Sequence, residues 1–302
     1  MVNGVKFVFT GAKLRQEAAI LFSNHRTRLD WMLLWSLGAR AESLSMLKIV
    51  LKAGLKKAPG FGFVMQTLGF LFLERDWAKD QLHMENMCQA YAARQTQLLI
   101  FPEGTDLSPS NLEKSQAFAE KNGLPVMKHV LVPRSKGFVC CLKKLRSGSC
   151  QALYDLTLAF PDKVPQSEKT ILEATWPQEI HIHVERHELS ALPMEDAAVE
   201  QWVFDTFLAK ERRLELFATN KQFAAAHRQY EDVKPSSLAT FALIFWALAT
   251  MAFVYLLVMT SWYLYFCLVA LVVQHAVTLA GGIDKMDLSR WMATRSGRPK
   301  GD

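Results

Sequence analysis

Short apolar runs closing on polar residues recur at Ala18–Phe22, Gly69–Leu73, Leu98–Phe101 and Ala152–Phe160. Runs of this length bounded by turn residues predict buried strands. Met1–Thr10 alternates Val5, Phe7 and Phe9 with other residues, and Glu179–Arg186 sets Ile180, Ile182 and Val184 against His181, His183 and Glu185, so both predict strands. Between these runs the period lengthens to that of a helix. Asp30–Trp35 opens one, and Lys79–Ala93 carries Leu82, Met84, Met87, Cys88 and Tyr91 on its inner side. Ser108-Pro109-Ser110 caps another that runs to about Lys121 and stops at Asn122-Gly123 and Pro125. Glu195–Phe217 places Val199, Trp202, Val203 and Phe207 inward and ends in a basic stretch at Lys210, Arg212 and Arg213. Met46–Lys57 also reads as an amphipathic helix. Lys48, Lys52 and Lys56 form one stripe and Leu47, Val50, Leu51 and Leu55 the other, with Pro59-Gly60-Phe61-Gly62 as the stop. Strands alternating with helices predict an α/β domain.

Residues 237–280 differ in kind. They contain no Asp, Glu, Lys or Arg, and polar Thr260-Ser261 interrupts them near the middle. A bilayer crossing needs roughly 20 apolar residues, and this run offers about twice that, so it predicts a transmembrane or re-entrant helical hairpin. Arg228 and Lys234 precede it and Lys285, Arg290, Arg295 and Arg298 follow, which puts both ends on the cytosolic side. Trp262, Tyr263 and Tyr265 fall near the turn at the far interface. The chain thus divides into a domain at 1–230, a linker at 231–236, the hairpin at 237–280 and a basic cytosolic tail at 281–302.

Charge narrows the class of partner. A net charge of +6 suits an anionic one, and the 50% hydrophobic content favours anionic lipid over nucleic acid. The five cysteines, among them adjacent Cys140-Cys141, form no CxxC pair, which predicts a reduced, cytosol-facing domain. His181, His183 and His187 read as a hydrophilic strand face, and no metal is expected.

The candidate chemistry lies in Ala18–Leu34. His25 falls where the first buried strand gives way to a helix, the ligand edge of open α/β sheets. Asp30, five positions on, falls in the first helical turn, from which it can return to the imidazole. A carboxylate on one ring nitrogen sets the tautomer that lets the other take a proton from a substrate hydroxyl. At Phe101-Pro102-Glu103-Gly104-Thr105 a turn leaves a strand: Gly104 allows close backbone approach, Thr105 offers a hydroxyl, and Glu103 can accept from an arginine or a substrate hydroxyl. Arg75 closes another strand with a planar charged fork suited to phosphate.

Four segments in register resemble the motifs of the glycerolipid acyltransferases, the family of lysophosphatidic acid and other lysophospholipid acyltransferases. They are Asn24-His25 with Asp30, Gly69–Arg75, Phe101–Thr105, and the proline of Leu131-Val132-Pro133-Arg134. The resemblance covers roughly residues 5–230 and is nearest to the lysocardiolipin acyltransferase branch. It implies a mixed sheet flanked by helices and acyl transfer from acyl-CoA, a co-substrate, to a lysophospholipid, with no cofactor. His25 and Asp30 become the catalytic pair, and Lys52, Arg75, Glu103, Gly104 and Thr105 the substrate-binding set.

The resemblance also implies a place in the endoplasmic reticulum membrane with the catalytic domain cytosolic. Relatives of this branch carry hydrophobic segments ahead of the first motif, whereas Met1–Thr10 resembles neither a signal peptide nor a span, so a shortened form is expected. Phosphatidic-acid-forming relatives commonly place an arginine after Glu-Gly-Thr, where this chain has Asp106. A carboxylate there disfavours a doubly charged phosphomonoester more than a phosphodiester. Lysophosphatidic acid acylation and a shortened noncatalytic membrane relative stay open as alternatives.

Overall fold

The computed structural model describes residues 5–166, 169–173, 175–224, 229–231 and 237–283. Expectations for Met1–Gly4, Arg228, Lys234 and the basic tail from residue 284 lie outside the described residues. Two compact units divide the chain, one of residues 1–51 and 73–231 and the other of residues 52–72 and 232–302.

In the first unit β1 (Lys6–Gly11), β2 (Ala19–Ser23), β3 (Leu47–Lys52), β5 (Gln97–Ile100), β6 (Ala152–Ala159), β7 (Glu179–Glu188) and β8 (Gln229–Glu231) alternate with helices. With β4 (Leu71–Leu73) they form one eight-stranded sheet of order β4-β3-β5-β2-β6-β7-β1-β8. β2 runs parallel to β5 and β6, β3 parallel to β5 and β1 parallel to β7. β6 meets β7 antiparallel, as β1 meets β8, so the sheet is mixed. All five residues of β2 are buried because parallel neighbours flank it and helices cover the faces, which is why it reads as an unbroken apolar run.

The helices are α1 (Asp30–Arg40), α3 (Trp77–Ala92), α4 (Pro109–Lys121), α5 (Ser135–Arg146), the short α6 (Lys169–Leu172) and α7 (Asp196–Asn220), with α2 (Phe61–Thr67) in the second unit. Phe22 of β2 packs against Phe138 of α5 and Trp202 and Phe207 of α7, at ring separations of 4.9, 5.7 and 5.5 Å. Ser108 caps α4 through the Asn111 N–H, as its position before Pro109 predicts.

Several expectations need correction. Met46–Lys57 is a strand and a 3-10 turn (Ala53–Lys57), not a helix. Lysines four apart share a face in a strand as well as in a helix, since four is an even number of strand positions. Leu47 and Ile49 are buried while Lys48 and Val50 are half-buried, and the strand hydrogen-bonds along β5. Pro59–Gly62 starts α2 instead of ending a helix. Leu82 is 70% exposed, on the outer side of α3. His181 lies on no solvated face, for it is buried and its ring meets Phe217 at 5.1 Å. α5 was not anticipated.

The second unit contains the 3-10 turn, α2, α8 (Ser237–Met259) and α9 (Ser261–Leu279), with the chain breaking helix at Thr260. Lys56 Nζ donates to the Gly281 carbonyl at 3.3 Å, and Gln66 Oε1 accepts from the Ile283 N–H at 3.2 Å. α9 has the length and composition to cross a membrane, with a mean hydropathy of 1.7 and no buried share. Its large apolar side chains, including Trp262, Tyr265, Phe266 and Val272, are exposed.

Candidate active site

β2 and β5 are parallel neighbours, so the loops that leave their carboxyl ends emerge side by side. His25 lies on the first loop and Glu103 on the second. Asn24 fixes the first loop to β6: its Nδ2 donates to the Leu158 carbonyl at 3.1 Å and its Oδ1 accepts from the Leu158 N–H at 2.8 Å. The chain then turns through Thr27 into α1, and Asp30 at its start comes back to the imidazole.

Asp30 Oδ2 lies 3.0 Å from His25 Nδ1 and also accepts from the Thr27 N–H at 2.8 Å, while Oδ1 accepts from the Thr27 hydroxyl at 3.0 Å. Fully buried Asp30 is thus held at both oxygens and has one orientation toward the ring. The His25 ring is stacked on Phe101, with centroids 4.3 Å apart. With Nδ1 donating to the carboxylate, Nε2 is the acceptor, and it has no hydrogen-bond partner among the described residues. A hydroxyl arriving at Nε2 meets a base already in the correct tautomer.

Glu103 behaves differently from expectation. It reaches neither an arginine nor the surface: Oε1 accepts from the His25 N–H at 2.7 Å and Oε2 from the Leu131 N–H at 2.9 Å, and only 3% of the residue is exposed. Burial pushes its carboxyl up to about 8, against the lowering effect of those two bonds. The carboxyl therefore splices the histidine loop to the loop before α5. That second loop is anchored in turn by Glu211 of α7, whose carboxylate accepts from Lys128, His129 and Val130 N–H groups at 2.7, 2.8 and 3.1 Å.

Gly104 has φ +72°, and a Cβ there would lie 3.6 Å from Cδ of Arg134. That is ordinary van der Waals contact, so the positive φ, not the arginine stem beside it, is what favours glycine here. Thr105 also acts within the protein: its hydroxyl donates to Asp106 Oδ1 at 3.3 Å and accepts from Asn111 Nδ2 at 3.0 Å. Asp106 has a cation of its own, with Arg28 Nε 4.0 Å away. The Leu107 N–H donates to the His25 carbonyl at 2.8 Å and closes this loop on the histidine.

Arg75 follows β4 in a left-handed conformation, φ +66°. Asp80, buried at the start of α3, accepts from the N–H groups of Glu74 at 2.8 Å and Asp76 at 3.1 Å and so clamps the bend from both sides. The guanidinium pKa is lowered by desolvation and by the charge of Arg134, with Asp106 opposing. Arg26, half-buried, is lowered by burial against the pull of Asp30 and Glu103. Lys52 ends β3 as the first residue of the second unit, with its side chain exposed.

The geometry therefore joins His25 directly to Asp30 and Glu103, sets Gly104 and Thr105 on the turn that follows Glu103, and brings Arg75 within electrostatic reach of Asp106. Arg26, Arg28, Arg134, Asp80 and Glu211 were not anticipated as parts of this arrangement. Lys210, part of the basic stretch read at the end of this helix, is fully buried and paired with Asp155, whose other oxygen lies 3.8 Å from Arg213. Asp155, Glu185 and His187 cluster within 4.8 Å, and Arg213 bridges the two carboxylates as their counter-charge.

The pattern that defines the acyltransferase family matches residues 6–148, and that of the acyltransferase C-terminus matches residues 170–246. The chain is 43% identical over 221 residues to lysocardiolipin acyltransferase 1 of Danio rerio, covering 72% of this chain and 57% of that protein. It is 38% identical over 299 residues to the Mus musculus protein of the same name, covering 95% and 79%. It is 35% identical over 225 residues to a probable 1-acyl-sn-glycerol-3-phosphate acyltransferase 5 of Arabidopsis thaliana, covering 74% and 60%. The chain is therefore a member of the acyltransferase family, of the 1-acylglycerophospholipid acyltransferase type.

Proposed function

We propose that the protein transfers a fatty acyl group from acyl-CoA to a free hydroxyl of a lysophospholipid with a phosphodiester headgroup, lysocardiolipin foremost. The observation that carries this reading is the His25–Asp30 pair, engaged at Nδ1 at 3.0 Å with Nε2 free for a hydroxyl. His25 takes the hydroxyl proton, the oxygen attacks the thioester carbonyl, and the C–S bond breaks as the imidazolium returns the proton to the CoA thiolate. Asp30 orients the ring and stabilises its charged form. Acyl-CoA is a co-substrate, and neither a metal nor a prosthetic group takes part. Arg75 binds phosphate, the Glu103–Thr105 turn positions the base and the arginines, and exposed Lys52 meets anionic headgroups.

The same reading places α8 and α9 as a hairpin in the endoplasmic reticulum membrane, with the catalytic unit on the cytosolic side. Support comes from α9, apolar all round and without buried side chains, and from the basic residues that flank the run in sequence. Removing residues 237–280 is expected to release the protein from membranes, and retention through a high-salt wash would refute the anchor.

The test of function is acyl-CoA-dependent acylation by purified protein over lysocardiolipin, lysophosphatidylglycerol, lysophosphatidylinositol and lysophosphatidic acid. Transfer to the phosphodiester acceptors supports the proposal, and absence of transfer to all four overturns it. A second reading, lysophosphatidic acid as acceptor, is favoured by the Arg28 guanidinium beside Asp106, which offsets the carboxylate's repulsion. The same panel separates the two.

A further inference from the structure

The residues given roles in the chemistry, from His25 to Thr105, all lie within the acyltransferase pattern at residues 6–148, whereas α7 lies in the C-terminal pattern at residues 170–246. One side chain of α7 nevertheless reaches the loop that Glu103 holds. Half-buried Glu211 accepts the Lys128 N–H at 2.7 Å through Oε1, and the His129 and Val130 N–H groups at 2.8 and 3.1 Å through Oε2. The next N–H, that of Leu131, goes to Glu103 Oε2 at 2.9 Å, and Glu103 Oε1 takes the His25 N–H at 2.7 Å. Four consecutive backbone donors thus end on two carboxylates, one from α7 and one beside the base. Such charge-assisted bonds are about twice as strong as neutral ones. The other bonds of this loop flank the row: Gln116 Nε2 donates to the Met127 carbonyl at 3.0 Å, and the Val132 N–H donates to Ser115 Oγ at 2.9 Å. The orientation of the row itself is therefore set by the two carboxylates.

We propose that Glu211 is a positioning residue for His25. By fixing the backbone of residues 128–130 it sets where the Leu131 N–H meets Glu103, and through Glu103 it sets where the histidine loop sits. This rests on the acyl-transfer reading above and gives the C-terminal pattern a part in it. Glu211 touches neither the base nor its orienting carboxylate, so its effect on rate passes through the Leu131–Glu103 bond. A reacting group displaced by about 1 Å can lose about a hundredfold in rate, so even a small shift of this loop is measurable.

Position is read apart from turnover by amide hydrogen exchange of the full chain in detergent, resolved to single residues, with the β2 amides as the reference for global stability. Glu211→Ala is expected to speed exchange at residues 128–131 and at the His25 amide while β2 keeps its protection. Its kcat for the best acceptor of the lysolipid panel is expected to fall about tenfold, with KM for acceptor and acyl-CoA within about twofold. Glu211→Gln keeps one oxygen for His129 and Val130 and leaves the exposed Lys128 N–H to water, so it is expected to stay within about threefold of the parent. Adding Glu211→Ala to Glu103→Gln is expected to lower kcat by no more than about twofold beyond Glu103→Gln alone, because both changes act along one path. The proposal falls if the His25 amide of Glu211→Ala exchanges as slowly as the parent's, if β2 loosens equally, if kcat is unchanged, or if the two losses multiply in the double variant. Should Glu211→Ala fail to fold, Glu211→Asp, one methylene short of the loop, carries the same comparison. If the unmodified protein transfers to no acceptor, the acyl-transfer reading fails, and the exchange at His25 decides the positioning role by itself.

Discussion

Glu103 holds His25 by its backbone: Oε1 accepts the histidine N–H at 2.7 Å, while the other oxygen accepts the Leu131 N–H from a loop 28 residues away. Both of these bonds are accepted by the carboxyl, one at each oxygen. Glu103→Gln keeps size and turns an NH2 toward one of the two N–H donors. A buried donor left unsatisfied costs about 1 to 3 kcal/mol. The variant is expected to lower the melting temperature and to reduce kcat by displacing the histidine loop. An unchanged melting temperature and rate would show that the splice is dispensable.

The same carboxyl gives a pH signature. Its folded-state pKa is raised to about 8 from 4.5, so the folded protein keeps a proton that the unfolded chain has released. Its contribution to stability is fully present below about pH 4.5 and is lost as pH rises through about 8. Thermal unfolding of the unmodified protein should therefore show a falling contribution across pH 5 to 8 that Glu103→Gln lacks. Parallel profiles for the two proteins would contradict this assignment.

Asp30 is over-determined. Thr27 donates to it through both N–H and hydroxyl, so the orientation of the carboxylate depends on a residue that need not touch substrate. Asp30→Asn is expected to reduce kcat by about a thousandfold or more, because it favours the wrong imidazole tautomer. Thr27→Val removes one of the two Thr27 bonds and is expected to cost about tenfold. Equal rates for Thr27→Val and the unmodified enzyme would mean that the remaining Thr27 N–H suffices.

The His25–Asp30 pair was legible because its members are five residues apart on one strand, loop and helix start. Glu103's partners were not: Leu131 reaches it only after α4 has returned the chain, and no local pattern encodes that. Other misses had a visible signal. Val199, Val203, Phe207, Lys210, Leu214 and Phe217 are all buried on one face of α7, at spacings of three and four. Lys210 therefore falls on the apolar stripe, although composition grouped it with Arg212 and Arg213. Phe138, Cys141, Leu142 and Leu145 likewise repeat at helical spacing in α5 and are buried. In β3 the ambiguity is physical, since lysines four apart fit both periods.

Buried Lys210 faces Asp155 with desolvation lowering its pKa and Asp155 opposing. Lys210→Met is expected to cost about 3 to 5 kcal/mol, since it strands a buried carboxylate whose remaining cation, Arg213, is 3.8 Å away. Adding Asp155→Leu should recover much of that loss by removing the stranded charge. A double variant less stable than the single would show that the pair contributes more than mutual compensation.

Acceptor choice at Asp106 takes a different form once its neighbours are known. The carboxylate is 17% exposed at its side chain, lies 4.0 Å from Arg28 and accepts from the Thr105 hydroxyl. Its repulsion of a phosphomonoester is therefore partly offset by Arg28, and its removal would also free Arg28. Asp106→Arg adds a cation beside Arg28, Arg75 and Arg134, and a doubly charged phosphomonoester gains more from that than a singly charged diester does. The ratio of kcat/KM for lysophosphatidic acid over lysophosphatidylglycerol is expected to rise. Solvent-screened charge pairs contribute about 0 to 1 kcal/mol, so a rise up to about fivefold that disappears in high salt would place the phosphate in water. A larger rise that survives salt would place it in a shielded pocket with the arginines. An unchanged ratio in a folded, active variant would remove Asp106 from acceptor selection.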